Sequence, residues 1–251
     1  MGMEKTIVFL HGFGEDKTIF DTILPGLEEK YRVMVPDLPG SGGLAKHPWL
    51  PEEQTMEWLA DWVAGYLQEN KAGKVILLGH SMGGYITLAF AEKYPERLLG
   101  FGLLQSTAFA DGDTKKETRL KAMDFMKRKG GFAFLKTAIP GLFAPGFAAK
   151  SPQVVDELIQ KAKSFETESL IAYYEAMRHR PDRTAVLKNV QVPVLLIAGE
   201  EDLAVPLKDL LQQASLPSVC HFFILKQVGH MGMLEDPSSF RHVLVSFIHA
   251  N

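Results

Sequence analysis

The 251-residue chain predicts an α/β protein built on one mainly parallel sheet of about six strands, and three observations carry that expectation. Short apolar runs recur at residues 6–10, 32–35, 75–78, 98–104, 192–198 and 221–225. They are continuous rather than alternating, as strands covered on both faces should be, and helical periodicity separates most of them. The composition, 46% hydrophobic and 23% charged, is that of an ordinary globular chain, and the length is near the upper end of what one core supports.

Composition also removes whole classes of function. With 27 basic and 30 acidic residues the net charge is -3, which leaves no global basic field for nucleic acid. The single cysteine, Cys220, rules out an intramolecular disulfide and a Cys-rich zinc site. It fits a reducing compartment, so a cytoplasmic location is expected, as a monomer or dimer. No apolar stretch reaches the roughly 18 residues a membrane span requires, and the N-terminus lacks a signal peptide's basic and apolar regions. The opening Met1-Gly2-Met3-Glu4-Lys5-Thr6 matches the permissive myristoylation pattern, but the doubled Met reads as a vector-derived Met-Gly before a native Met3.

The elements follow in order. Residues 6–10 enter a core strand almost at once. A helix over 52–69 places Met56, Leu59, Ala60, Val63 and Leu67 on one face and closes at Asn70 and Gly73. The strand at 75–78 meets a helical pattern at 85–93. After the strand at 98–104 the rhythm breaks, because more than 80 residues separate it from the strand at 192–198, far beyond an ordinary crossover. Residues 106–188 are therefore expected to form an inserted helical cap, with residues 1–105 and 189–251 as the core. Its helices are expected at 115–129, 131–138, 153–164 and 166–178, broken by Pro140-Gly141 and Pro145-Gly146. Asp236-Pro237 supplies an N-cap and a first-turn proline for a last helix that turns Phe240, Val243, Leu244 and Phe247 inward.

The chemistry starts at Gly79-His80-Ser81-Met82-Gly83-Gly84, between strand and helix. A serine on a sharp strand-to-helix turn needs small neighbours, and this is the G-x-S-x-G nucleophile elbow. The hydroxyl needs a base, and His230 in Val228-Gly229-His230-Met231-Gly232 stands just past the last strand. His47, His179, His242 and His249 suit surface roles, His221 has no motif around it, and His11 suits a loop-ordering role. The base needs a carboxylate; Asp202 follows Gly199 by three residues and keeps the order Ser, Asp, His, with Glu200 and Glu201 as alternatives. The backbone N–H groups of Met82 and of Phe13, on the loop after the first strand, are the expected oxyanion donors.

Taken together, Leu10-His11-Gly12-Phe13-Gly14, Asp37-Leu38-Pro39-Gly40-Ser41-Gly42, the elbow, Gly199 to Asp202 with Val205-Pro206, and Gly229-His230 with Glu235 and Pro237 resemble the α/β-hydrolase superfamily. The resemblance is to its capped, esterase-like members related to pimeloyl-carrier-protein methyl ester esterase. It implies an α/β-hydrolase fold, a triad of Ser81, Asp202 and His230, an oxyanion hole from Phe13 and Met82, and no metal or organic cofactor. The Asp37 segment becomes a structural turn. Gly43 after Gly42 departs from the pattern and implies a looser turn, and the short N-terminus implies six strands where larger members have eight.

Substrate choice in such folds belongs to the lid. The expected cap holds seven of the 16 Phe, which suggests an apolar acyl or aromatic pocket. Phe13, Phe125, Phe134, Phe143 and Met231 are the expected substrate contacts. From Thr114 to Lys150 nine basic residues face two acidic ones, a face suited to an acidic carrier or an anionic substrate, or simply to solvent. The expected activity is hydrolysis of small carboxylic esters. Carbon-carbon bond hydrolysis or lysis, cofactor-free perhydrolysis, and a ligand receptor with negligible turnover are the alternatives, whereas an Asp-nucleophile dehalogenase or epoxide hydrolase is disfavoured because Ser81 occupies the elbow.

Overall fold

The computed structural model describes residues 5–49 and 51–251; residues 1–4, where the myristoylation pattern begins, lie outside them. In chain order the elements are β1 (Thr6–Leu10), β2 (Arg32–Met34), α1 (Met56–Glu69), β3 (Val75–His80), α2 (Met82–Lys93) and β4 (Leu98–Leu104). Helices α3 (Asp113–Lys129), α4 (Gly131–Ala138), α5 (Pro145–Lys150), α6 (Pro152–Lys161), α7 (Thr167–His179) and α8 (Thr184–Asn189) come next. The chain ends with β5 (Val194–Gly199), α9 (Leu207–Gln213), β6 (Cys220–Leu225), α10 (Gly232–Glu235) and α11 (Pro237–Ala250).

Six strands form one sheet in the order β2-β1-β3-β4-β5-β6, with every neighbouring pair parallel. Side chains alternate between its faces. Ile7, Phe9, Ile76, Leu78, Leu195 and Ile197 enter one apolar layer, which continues into Phe240, Leu244 and Phe247 of α11. Val8, Leu10, Val75, Leu77, Val194 and Leu196 enter the other, against Leu59 and Val63 of α1 and Ile86 and Phe90 of α2. Both faces are covered, which is why these strands read as unbroken apolar runs. Because β1 lies between β2 and β3, the chain steps one way and then the other. That reversal opens a crevice at the carboxyl ends of β1 and β3, where open α/β sheets place ligands.

Several boundaries differ from expectation, each for a local reason. The first helix starts at Met56 rather than residue 52, because Thr55 is its N-cap and accepts a hydrogen bond from Trp58 N; Pro51–Glu53 form a separate 3₁₀ turn. The helix expected at 153–164 ends at Lys161 and tightens into a 3₁₀ turn, Ala162–Ser164. Pro145 does not break the chain but starts α5, where its missing N–H costs nothing. In the segment between β4 and β5, α3, α4 and α7 contact one another, while α8 contacts α2 and buries Leu187 in the α1/α2 layer.

Candidate active site

Ser81 sits between β3 and α2 with φ 50° and ψ −114°, a left-handed backbone that a non-glycine residue adopts only under constraint. The constraint is visible. Ser81 N donates to Leu104 O at 3.0 Å, and Ser106 Oγ donates to Ser81 O at 2.7 Å. A Cβ at Gly79 would stand 2.2 Å from Gly83 O, and one at Gly83 would stand 2.2 Å from Leu10 O, so the turn closes only with glycine at both positions. Met82 opens α2 and its N–H belongs to the first turn, which has no intrahelical acceptor.

The structure brings the three side chains singled out from the sequence into one line. His230 Nε2 lies 2.9 Å from Ser81 Oγ, and His230 Nδ1 lies 2.7 Å from Asp202 Oδ2. A carboxylate only accepts, so Nδ1 carries the proton and Nε2 is free to accept from the serine. The other carboxylate oxygen, Asp202 Oδ1, accepts from Ala204 N at 2.8 Å and Val205 N at 2.9 Å, which fixes its direction. Glu201 is exposed, and Glu200 instead accepts from Gln227 N.

Ser81 and His230 line a cavity of about 840 Å³, together with Phe13, Tyr85, Leu142, Tyr174 and Met177. Of the five expected substrate contacts only Phe13 lines it. Phe143 and Met231 are 4% and 0% exposed and belong to the apolar core, where Phe143 stacks on Phe147. Phe134 packs its edge against Phe13 and Tyr174 and supports the lining from behind. On α3 the inward stripe runs through Arg119, Met123 and Met126, which leaves Phe125 half-buried to one side. Tyr174 and Met177 face the cavity, whereas Tyr173 is wholly buried and donates to Pro39 O at 2.5 Å.

His11 orders its loop, as expected. Its Nδ1–H donates to Gly12 O at 2.9 Å and its Nε2 accepts from Leu38 N at 3.0 Å; burial lowers its pKa despite the opposing carbonyl of Gly12 and the Glu15 carboxylate. Asp37 is a turn residue that accepts from Lys17 N and Gly43 N, each at 3.0 Å, so the turn with two glycines is tied rather than loose.

Sequence reasoning missed a buried pair behind the serine. His80 Nδ1 lies 3.0 Å from Glu15 Oε2, and His80 Nε2 lies 2.9 Å from His230 O. Both ring nitrogens face acceptors, an arrangement that favours the protonated ring, which donates from both. Burial works against that charge, but the Glu15 carboxylate and the His230 carbonyl raise the His80 pKa. Burial likewise works to raise Glu15, yet His80 and the N–H of Gly12, 2.6 Å away, hold it below the usual carboxylate range. The pair joins the loop after β1, the elbow and the His230 loop.

The sequence pattern of an alpha/beta hydrolase family matches residues 7–242. The chain belongs to the alpha/beta hydrolase family. Among solved structures, this hydrolase resembles a thermophilic esterase from Thermogutta terrifontis with malate bound, at 29% identity and a TM-score of 0.91, covering 100% of this chain and 91% of that one. It is 28% identical to the uncharacterized hydrolase YugF of Bacillus subtilis, covering 97% of this chain and 90% of YugF. It is also 27% identical to the dihydrolipoyllysine-residue acetyltransferase component of the acetoin cleaving system of Cupriavidus necator, over 97% of this chain but only 63% of that longer protein. Among the described residues of this hydrolase, no helix is long and apolar enough to cross a membrane.

Proposed function

We propose that this hydrolase cleaves small carboxylic esters through an acyl-enzyme. The observation that carries the reading is the Ser81–His230–Asp202 line, at 2.9 Å and 2.7 Å, opening on a cavity from a strained elbow. Ser81 Oγ attacks the acyl carbon while its proton passes to His230 Nε2. The C–O bond then breaks, and the alcohol leaves with that proton. Water, deprotonated in turn by His230, releases the acid and restores the serine. Asp202 holds the imidazole with Nδ1–H towards it. The amides of Phe13 and Met82 stabilise the oxyanion; among the described residues no protein acceptor meets Phe13 N–H. The helices between β4 and β5 act as the cap, since Arg119, Leu142, Tyr174 and Met177 of the cavity wall come from that segment.

Steady-state hydrolysis of p-nitrophenyl esters with two to twelve acyl carbons, compared with Ser81→Ala, tests this. Turnover that peaks at one chain length and disappears in the variant is expected. Folded wild type no faster than the variant would overturn the ester reading in favour of carbon-carbon cleavage or a receptor.

A further inference from the structure

The basic stretch of the inserted segment does not all face solvent. Asp111, 3% exposed, lies between three cations: Arg119 Nε at 2.5 Å, Arg180 Nη1 at 2.9 Å and Lys115 Nζ at 4.0 Å. One carboxylate therefore serves three positive charges. Arg180 is spent on structure, donating to Met177 O and Phe109 O while its guanidinium lies 3.8 Å from the Tyr85 ring centre. Arg119 and Lys115 instead line the Ser81 cavity, and Lys208 joins them.

Arg119 is only 8% exposed. Its guanidinium lies 4.9 Å from the ring centre of Tyr174, which also packs against Phe13, 4.3 Å from ring to ring. A buried cation is thus held one aromatic ring away from the loop that carries the expected oxyanion donor. Asp111 pairs with Arg119 but is shared with Arg180 and Lys115; of the acids that line the cavity, Glu15 is taken by His80 and Gly12 N, which leaves Asp209, so the cations outnumber the acids. The shared Asp111 carboxylate and the Tyr174 ring offset part of the cost of burying that guanidinium, and an anion brought by the substrate supplies the charge still lacking, which a neutral ester does not.

We propose that Arg119, with Lys115 and Lys208 at the rim, binds a carboxylate carried by the substrate, so that half-esters of short dicarboxylic acids are the preferred substrate class. This rests on Ser81 being the nucleophile. The anion site and the ester chemistry are separable in the test.

Monoethyl glutarate and its neutral isostere ethyl 4-carbamoylbutanoate are compared in a pH-stat at pH 7 and low salt. The wild type should favour the acid in kcat/KM by about tenfold to a hundredfold, the range of a hydrogen-bonded charge. Arg119→Gln should bring that ratio close to one, Arg119→Lys should keep part of it, and Lys208→Gln should lower it a few-fold. A ratio is unaffected by the folded fraction, since both esters meet the same molecules. A wild-type ratio near one, or one unchanged in Arg119→Gln, would overturn the proposal. If neither ester is turned over, the esterase reading fails and calorimetry decides the anion site alone. Glutarate bound by the wild type, more weakly by Arg119→Gln, supports the site. No binding, or inorganic phosphate bound more tightly than glutarate, refutes the carboxylate assignment.

Discussion

Asp202 is the third acid in Glu200-Glu201-Asp202, and its neighbours differ from it in surroundings rather than in chemistry. Asp202 is 4% exposed, with one oxygen on His230 Nδ1 and the other on two backbone N–H groups; Glu201 is exposed. A buried carboxylate can hold the imidazole in one tautomer, and a solvated one cannot. Asp202→Asn places an amide where Nδ1–H must donate and favours the opposite tautomer. On the triad reading kcat should then fall by about 10³–10⁴-fold with the fold intact, while Glu201→Gln should leave kcat unchanged. Equal losses in the two variants would refute the assignment. The order of motifs was enough to choose Asp202 from the sequence. The Glu15–His80 pair was not legible, because 65 residues separate partners that meet only through the sheet.

At the scale of elements, the His230 loop is held almost wholly by side chains. Glu235 accepts from Gly229 N, Met231 N at 3.0 Å and Ala144 N at 2.9 Å. Gln105 donates to Gly229 O at 2.6 Å and accepts from Gly232 N at 3.2 Å, and His230 N donates to Leu142 O at 2.7 Å. Leu142 and Ala144 belong to the segment between β4 and β5, so the part of it that lines the cavity and the loop carrying His230 are tied together. Burial raises the Glu235 pKa against the pull of its three N–H donors. Glu235→Gln replaces two accepting oxygens by one and strands at least one buried N–H. A loss of about 2 kcal/mol is expected, or about 4–8 °C in Tm, with kcat falling more than KM rises. A variant with unaltered kcat would show that the loop keeps its shape without this carboxylate. The sequence showed the loop's place after β6 but not its support, since backbone amides leave no trace in side-chain identity. The phase of α3 was hidden for another reason: an apolar Phe125 was expected inward, but Arg119 turned in, held by Asp111 eight residues earlier.

For the whole molecule, the two wholly buried histidines near the cavity give opposite pH dependences to stability. His80 is raised above its ordinary 6.5 by Glu15, so its contribution is complete below pH 6.5 and is lost as pH rises through the raised value. His11 is lowered from the same 6.5 by burial, so folding is penalised as pH falls below 6.5 and the unfolded chain gains a proton the folded chain refuses. Glu15, lowered from 4.5, contributes above pH 4.5 and loses its effect as pH falls through the lowered value. The Glu15–His80 pair is therefore at full strength between pH 4.5 and 6.5. Glu15→Gln leaves His80 buried without its carboxylate, and near pH 6 it should cost about 3 kcal/mol, the range for breaking a buried pair. His11 also feels the Glu15 carboxylate, but its folded-state pKa lies below 6.5 and falls further without that charge, so well above pH 6.5 it is neutral in both proteins and leaves the difference unchanged. Urea unfolding of wild type and variant from pH 5.5 to 10 should then show the stability gap narrowing above pH 6.5, approaching a slope of about 1.4 kcal/mol per pH unit. A gap that stays level or widens with pH would mean that His80 is neutral in the folded protein, and that the elbow is joined to the His230 loop by an uncharged hydrogen bond alone.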